Sequence, residues 1–283
     1  MPITLAAFAL AAALTAQQTD NLPADPFRIA GNLYYVGSRD LGSYLITTDA
    51  GHILIDAGYD TTVPTIEANV ARLGFKIQDV KILLNTQAHF DHAGGFAALR
   101  RRTGASLQVS GPDADVIERG GLRDFSFGEA YPFPPATVDR RLKDGDTVAL
   151  GGMSLTAHVT PGHTIGCTTW TFDVADRGRT LHAVDLCGLS ILSTTRVTGM
   201  PGYPGIGTDY PKTFAALRNL PVDIFIGAHA SYYDGMEKAR VARTNPSGPN
   251  PFIDPDGFRR SIDSSETRFR DQLARERGGQ FPR

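Results

Sequence analysis

The sequence predicts an α/β protein, an αββα four-layer sandwich in which two β-sheets face each other and helices cover both outer faces. Three observations lead there. Segments rich in Val, Ile, Thr and Tyr occupy residues 28–56 and return in 146–187. Apolar residues at helical spacing lie between those regions and again near the end. The order is strands, helices, more strands, then strand and helix, and two packed sheets under helices would bury every apolar face.

After a lead with Pro23 and Pro26, RIAGNLYYVG predicts a first strand. LGSYLITTDAGHILIDAG gives two more, joined as a hairpin at Asp49-Ala50-Gly51. Residues 62–73 carry Ile66, Val70 and Leu73 at spacings of four and three, an amphipathic helix ended by Gly74. VKILLNT (80–86) is apolar almost throughout and predicts an interior strand, with the polar cluster QAHFDHAGG directly after it. A helix to about Arg102, a strand at 106–110 and a helix near 112–119 follow. Residues 120–141 hold three prolines, three glycines and four aromatics, and predict a loop. DTVAL, MSLTAHVT, CTTWTFDV and TLHAVDL are strands, and 188–209 is irregular. Tyr210, Phe214, Leu217 and Leu220 share one side of a helix over 210–220, before the strand VDIFIGA. The tail is helical at 234–243 and near 264–277, split by NPSGPNPFIDPDG.

Of 283 residues, 41% are hydrophobic, enough for a large core, and no Ser/Gly linker divides the chain, so residues 17–283 form one domain. The balance of 28 basic against 30 acidic side chains offers no long-range attraction to nucleic acid or to a membrane surface. Ile3 to Ala16 is an uncharged run of fourteen residues, too short to span a bilayer. With its small-residue exit it predicts a secretory signal over 1–16 and export to the periplasm. Cys167 and Cys187 are too few for a disulfide scaffold, although in an exported protein they could pair.

Of seven histidines, four stand where a strand finishes. VKILLNT runs into Gln87, His89, Asp91 and His92; MSLTAHVT runs into His163; VDIFIGA runs into His229. Strand ends converge on one rim of a sheet, where a rigid scaffold can hold a site. Imidazole nitrogen with carboxylate oxygen suits zinc. In an extended exit Gln87, His89 and Asp91 point to one side. A turn at Gly94-Gly95 would bring His92 round as well. Such a segment can feed two metals, one through Gln87 and His89 and the other through Asp91 and His92. His163 and His229 would each complete one set.

QAHFDHAGG, TPGHTIG and GAHAS resemble the signature blocks of the metallo-β-lactamase fold. FRIAGNLYYVG, the turn at Leu142–Asp146, AHVTPGHTIGCTTW and Tyr203-Pro204 are similar to subclass B3 β-lactamases, and the likeness runs from about residue 26 to 240. Gln87 stands where the first histidine of H-x-H-x-D-H is usual, as in a small branch of that subclass. The resemblance implies one zinc held by Gln87, His89 and His163 and a second held by Asp91, His92 and His229. It implies hydrolysis of the β-lactam amide of penicillins, cephalosporins and carbapenems by metal-activated water, without a covalent enzyme intermediate, and so antibiotic resistance. Asp91 would orient the nucleophile as well as bind metal. An amide oxygen is a weaker donor than imidazole, so the Gln87 zinc should be the looser one.

Around this set, Cys187 or Asp185, at the exit of TLHAVDL, could align with a position that ligates metal in other hydrolases of the fold, although a buried thiol beside a structural carboxylate is the favoured reading. Cys167 and Trp170 read as core. Asp56 reads as a support for a metal ligand, and His158 as either such a support or a satisfied structural histidine. The aromatics of 120–135 offer a groove wall or pack beneath the loop. Ser190, Thr194, Thr195 and Arg196 are candidates for the substrate carboxylate. The expected protein is a monomer. The competing reading is a lactone or thioester hydrolase of the same fold, whose marks would be a complete H-x-H-x-D-H and a bridging aspartate. The chain lacks the first and has only Asp185 for the second.

Overall fold

The computed structural model describes residues 19–279. The segment 1–16, expected to be a secretory signal, lies outside them. Seven strands lie in chain order in one sheet: β1 (Phe27–Ala30), β2 (Leu33–Tyr35), β3 (Tyr44–Thr48), β4 (Gly51–Ile55), β5 (Val80–Leu84), β6 (Ser106–Ser110) and β7 (Arg140–Leu142). The first four are antiparallel and joined by short turns. From β4 to β7 the pairing is parallel, because helices carry the chain back between strands. Those helices are α1 (Val63–Arg72), α2 (Phe90–Ala93), α3 (Phe96–Thr103) and α4 (Gly111–Glu118).

The second sheet takes β8 (Thr147–Leu150), β9 (Met153–Val159), β10 (Thr168–Asp176), β11 (Arg179–Leu186) and β12 (Ile224–Gly227) in that order. β12 joins parallel to β11 after α5 (Ile206–Arg218). Helices α6 (Gly235–Thr244) and α7 (Pro255–Arg277) follow, with α5 and α7 packed on each other.

Strand alternation divides the core. Ile53, Ile55, Ile82 and Leu84 cluster with Trp170 and Phe172 of the other sheet. Leu54 and Leu83, one residue out of phase, meet Ile66, Val70, Phe96 and Leu99 of α1 and α3 instead. Each such side chain contributes roughly 1.5–3 kcal/mol by leaving water. Trp170, fully buried, donates its indole N–H to the Asn85 carbonyl at 3.1 Å, which ties the second sheet to the exit of β5.

Three boundaries differ from those expected. The loop over 120–141 ends in a strand, β7. α5 begins at Ile206 rather than 210. α7 begins at Pro255, nine residues before 264, because the Asp254 carboxylate accepts the Gly257 N–H at 2.7 Å and Pro255 sits in the first turn. Asp-Pro here starts a helix, where the Pro/Gly-rich stretch around it suggests only a break.

Candidate metal centre

β4 and β5 are parallel, so their exits share an edge. Asp56 follows β4 in the left-handed region at φ 58°, a conformation costing an ordinary residue about 1–2 kcal/mol but tolerated by aspartate. Oδ1 accepts the Thr86 N–H at 2.7 Å and the Asn85 amide at 3.2 Å, and Oδ2 accepts the Thr86 hydroxyl at 2.5 Å. The same Oδ2 lies 3.2 Å from Nδ1 of His92. Downstream, α2 and α3 are separated by Gly94-Gly95. A β-carbon on Gly95 would lie 2.4 Å from the Ala57 carbonyl oxygen, so only glycine lets this turn close against the end of β4.

The expected ligands gather in two groups. Nε2 of His92 and Nε2 of His229 are 3.2 Å apart, and Asp91 Oδ2 is 3.5 Å from the first and 3.6 Å from the second. The ligand atoms of Asp91, His92 and His229 all lie within 4.8 Å of one another. In the other group Nδ1 of His89 faces Nε2 of His163 at 3.1 Å. Gln87, just past β5, is fully buried, and neither its amide oxygen nor its nitrogen has a hydrogen-bond partner.

The outward nitrogens fix the tautomers. His92 Nδ1 faces the Asp56 carboxylate, and His229 Nδ1 faces Asp40 Oδ2 at 2.8 Å. His163 Nδ1 faces the Ser190 carbonyl at 2.8 Å. Each acceptor draws the proton to Nδ1 and leaves Nε2 as a lone pair. With both rings neutral, two imidazole lone pairs and one carboxylate oxygen converge, which is a donor set for a cation.

Without a cation, the charges around the cluster favour one further proton. Burial works against charge on His92, yet Asp91 and Asp56 push its pKa up to about 10. Burial would raise Asp91, but His92, His229 and His89 hold its carboxyl well below the usual range. With protein charges alone, His92 keeps a proton that a divalent ion would replace. His89 is held well below the ordinary imidazole range by burial and by His163, and burial takes His163 down to about 4. That pair stays neutral, the form that binds metal. The Asp91, His92, His229 donor set fits a divalent ion such as zinc.

Two expected neighbours stand elsewhere. Cys187 is joined to Cys167 in a disulfide with the Cα atoms 5.8 Å apart, linking the entry of β10 to the exit of β11. Its sulfur carries no thiolate and is not a metal ligand, which corrects that expectation. His158 lies on the opposite face of β9 from the core residues Leu155 and Ala157, and its Nε2 pairs with the Thr171 hydroxyl at 2.8 Å. It supports a strand pair rather than a metal ligand, because the alternation of β9 turns it away from the core. Asp185 pairs in register with Trp170, is fully buried, and has no hydrogen bond on either oxygen. Burial and the Asp56 charge push its pKa well above the carboxylate range, and it stands outside the Asp91, His92, His229 group.

The sequence reading missed Asp40 and Asp113. Nothing near Asp40 in the chain marks it, since it meets His229 across 189 residues. Asp113, buried in the first turn of α4, accepts from the Ala88 N–H at 2.9 Å, the Thr164 hydroxyl at 2.8 Å and the Gly166 N–H at 2.8 Å. It pins the exits of β5 and β9 to each other. The Gly-Pro-Asp helix start was the available signal. Ser190 turns both its carbonyl and its hydroxyl to His163.

The aromatics of the 120–135 loop divide. Phe127 sets its edge against the His89 ring at 4.9 Å, and Tyr131 stacks on Phe90 at 4.3 Å. Phe133 packs beneath the loop, against the helices of the first sheet.

A family profile described as the metallo-beta-lactamase superfamily matches residues 43–177. Among solved structures, native FEZ-1 metallo-beta-lactamase from Legionella gormanii is 41% identical, covers 91% of this chain and 98% of its own, and superposes with a TM-score of 0.87. BJP-1, a subclass B3 metallo-beta-lactamase of Bradyrhizobium japonicum, is 37% identical over 93% and 99% with a TM-score of 0.86. A probable metallo-hydrolase of Burkholderia pseudomallei is 38% identical over 103 residues, 36% of this chain and 34% of that protein. The chain thus spans about a third of that relative's length. A hydroxyacylglutathione hydrolase of Maricaulis maris is 29% identical over 227 residues, 71% of this chain and 80% of that one.

Proposed function

We propose that this chain, which belongs to the metallo-beta-lactamase superfamily, is a zinc-dependent hydrolase of the β-lactam amide bond, of the B3 subclass. The observation that carries the reading is the meeting of His92 Nε2, His229 Nε2 and Asp91 Oδ2, three acceptors around one point. Zinc, when bound, supplies Lewis-acid polarisation of a carbonyl and acidifies water enough for reaction near neutral pH. Asp91, His92 and His229 would hold one ion, and Gln87, His89 and His163 a second, looser one.

The protein's own groups do the rest. Asp56 and Asp40 hold His92 and His229 in the tautomer that turns Nε2 inward. Asp91, kept ionised by the imidazoles around it, accepts a proton or hydrogen bond from water as it orients the attack. Phe127 and Tyr131, half-buried beside His89 and Phe90, form an apolar wall for the substituents of a bicyclic substrate. The Cys167–Cys187 disulfide favours an oxidising compartment and supports export to the periplasm. Among the described residues no helix is long and apolar enough to cross a membrane.

A thioester hydrolase is the second reading, favoured by the hydroxyacylglutathione hydrolase match. Against it stand the higher identity and fuller coverage of the β-lactamase structures and the exclusion of Asp185 from the ligand group. Zinc-loaded protein offered a penicillin, a carbapenem, a glutathione thioester and a lactone separates the two. Chelator-sensitive opening of the β-lactams with slow thioester turnover is expected; the reverse order would overturn the proposal.

A further inference from the structure

Three of the four histidines in the centre have an acceptor on the ring nitrogen that faces away from it: Asp56 for His92, Asp40 for His229 and the Ser190 carbonyl for His163. His89 is turned the other way round. Its Nδ1 faces His163, and its Nε2 is buried without a hydrogen bond. The carboxylate in front of that Nε2 belongs to Asp124, whose Oδ2 stands 3.8 Å away. Asp124 is itself buried, and its Oδ1 accepts the N–H groups of Ser126 at 2.8 Å and Phe127 at 2.9 Å. One oxygen therefore folds the loop, and the other is directed at a metal-ligand ring.

We propose that Asp124 is the positioning residue of His89: it accepts the Nε2 proton, leaves the Nδ1 lone pair for zinc, and ties this ligand to the 120–135 loop. The inference rests on the zinc-site reading above. A buried imidazole N–H without an acceptor costs about 1–3 kcal/mol, so the pair gains by closing from 3.8 Å to an ordinary distance of about 2.9 Å. The second consequence concerns the groove. Phe127, whose N–H the same carboxylate holds, is also the ring that packs on His89. Filling the Gln87, His89, His163 site should therefore order the wall that the substrate meets. It also compensates for Gln87, since a weak amide donor makes the set depend more on a well-oriented His89.

Asp124→Asn separates the two jobs of the carboxylate. The amide oxygen can still accept from Ser126 and Phe127, while its NH2 group meets His89 Nε2 as a donor. Zinc affinity of each site is measured by chelator competition, and imidazole nitrogen NMR of the zinc-loaded protein reads the His89 tautomer. The expected result is a loosening of the His89 zinc by about 10–100-fold, no change at the other site, and an unaltered melting temperature for the zinc-free protein. Unchanged affinity at both sites in D124N would overturn the inference alone, while wild-type protein that takes up no zinc overturns the functional reading with it. The wild-type NMR spectrum decides even where D124N fails to fold. A proton on His89 Nε2 is expected, and a proton on Nδ1 contradicts the assignment.

Discussion

Nε2 of His92 and Nε2 of His229 stand 3.2 Å apart, each with its ring's other nitrogen against a carboxylate, Asp56 in one case and Asp40 in the other. The two carboxylates stand only sixteen residues apart in the chain and do the same work for histidines 137 residues apart. They fix one proton of each ring on the outside of the centre, so that the inner nitrogens become lone pairs when a cation displaces the proton of His92.

Replacing Asp40 by Asn tests this at the more tolerant of the two positions. Asp40 also accepts the Ser231 N–H at 2.8 Å through its other oxygen, a bond that asparagine can keep. The zinc held by His229 should loosen about 10–100-fold by chelator competition, with the other site unaffected. Equal affinity in D40N and wild type would mean that the carboxylate does not orient the ring. Asp56→Asn is the poorer test, because Asp56 also accepts from Asn85 and Thr86.

The disulfide is a stability element and not part of the centre. Its cysteines are 20 residues apart, and closing such a loop stabilises by about 3 kcal/mol in the chain-entropy account. The C167A/C187A double variant should lose about that much in urea unfolding while keeping the wild-type zinc content. Loss of a zinc at native conditions would return Cys187 to the ligand set.

The strand-end histidines, the Asp91, His92, His229 cluster and the sandwich could all be read from the chain, because strand exits and apolar periodicity are local patterns. What could not be read lies in contacts between distant segments. Asp40 meets His229, Asp113 meets Thr164 and Asp124 meets His89 only after the sheets have packed. Cys187 and Asp185 show the same limit. They are two residues apart at one strand exit, and only the three-dimensional arrangement shows one bonded to Cys167 and the other buried opposite Trp170. The early start of α7 was visible in Asp254-Pro255 but hidden by the prolines around it.

Asp185 carries no hydrogen bond, and burial pushes its pKa well above the carboxylate range. Asp185→Leu should therefore keep zinc binding and β-lactam turnover within a few-fold, and hold or raise stability by about 1–3 kcal/mol, the desolvation cost removed. Collapse of activity in a folded, zinc-loaded D185L protein would instead make Asp185 a participant.

Glu276 of α7 clasps the segment that follows the disulfide strand. Burial raises its pKa, but the Thr198 hydroxyl, Gln272 and the N–H groups of Val197 and Thr198 outweigh this and lower it from 4.5. A depressed carboxylate stabilises the fold above its unfolded pKa and loses that contribution as pH falls through the folded one. Wild type should therefore exceed Glu276→Gln in stability at neutral pH, with the gap shrinking once pH drops below about 4.5. A gap that is constant between pH 7 and 3 would contradict the clasp.

The most direct test strips the purified protein of metal and adds zinc back in measured steps while penicillin hydrolysis is followed and bound zinc is counted. No turnover in the stripped protein, with activity returning as the Asp91, His92, His229 site fills and the Gln87 set filling at higher zinc, is the result the account predicts. Full turnover without zinc, or two zinc ions bound tightly with no β-lactam opened, would contradict it.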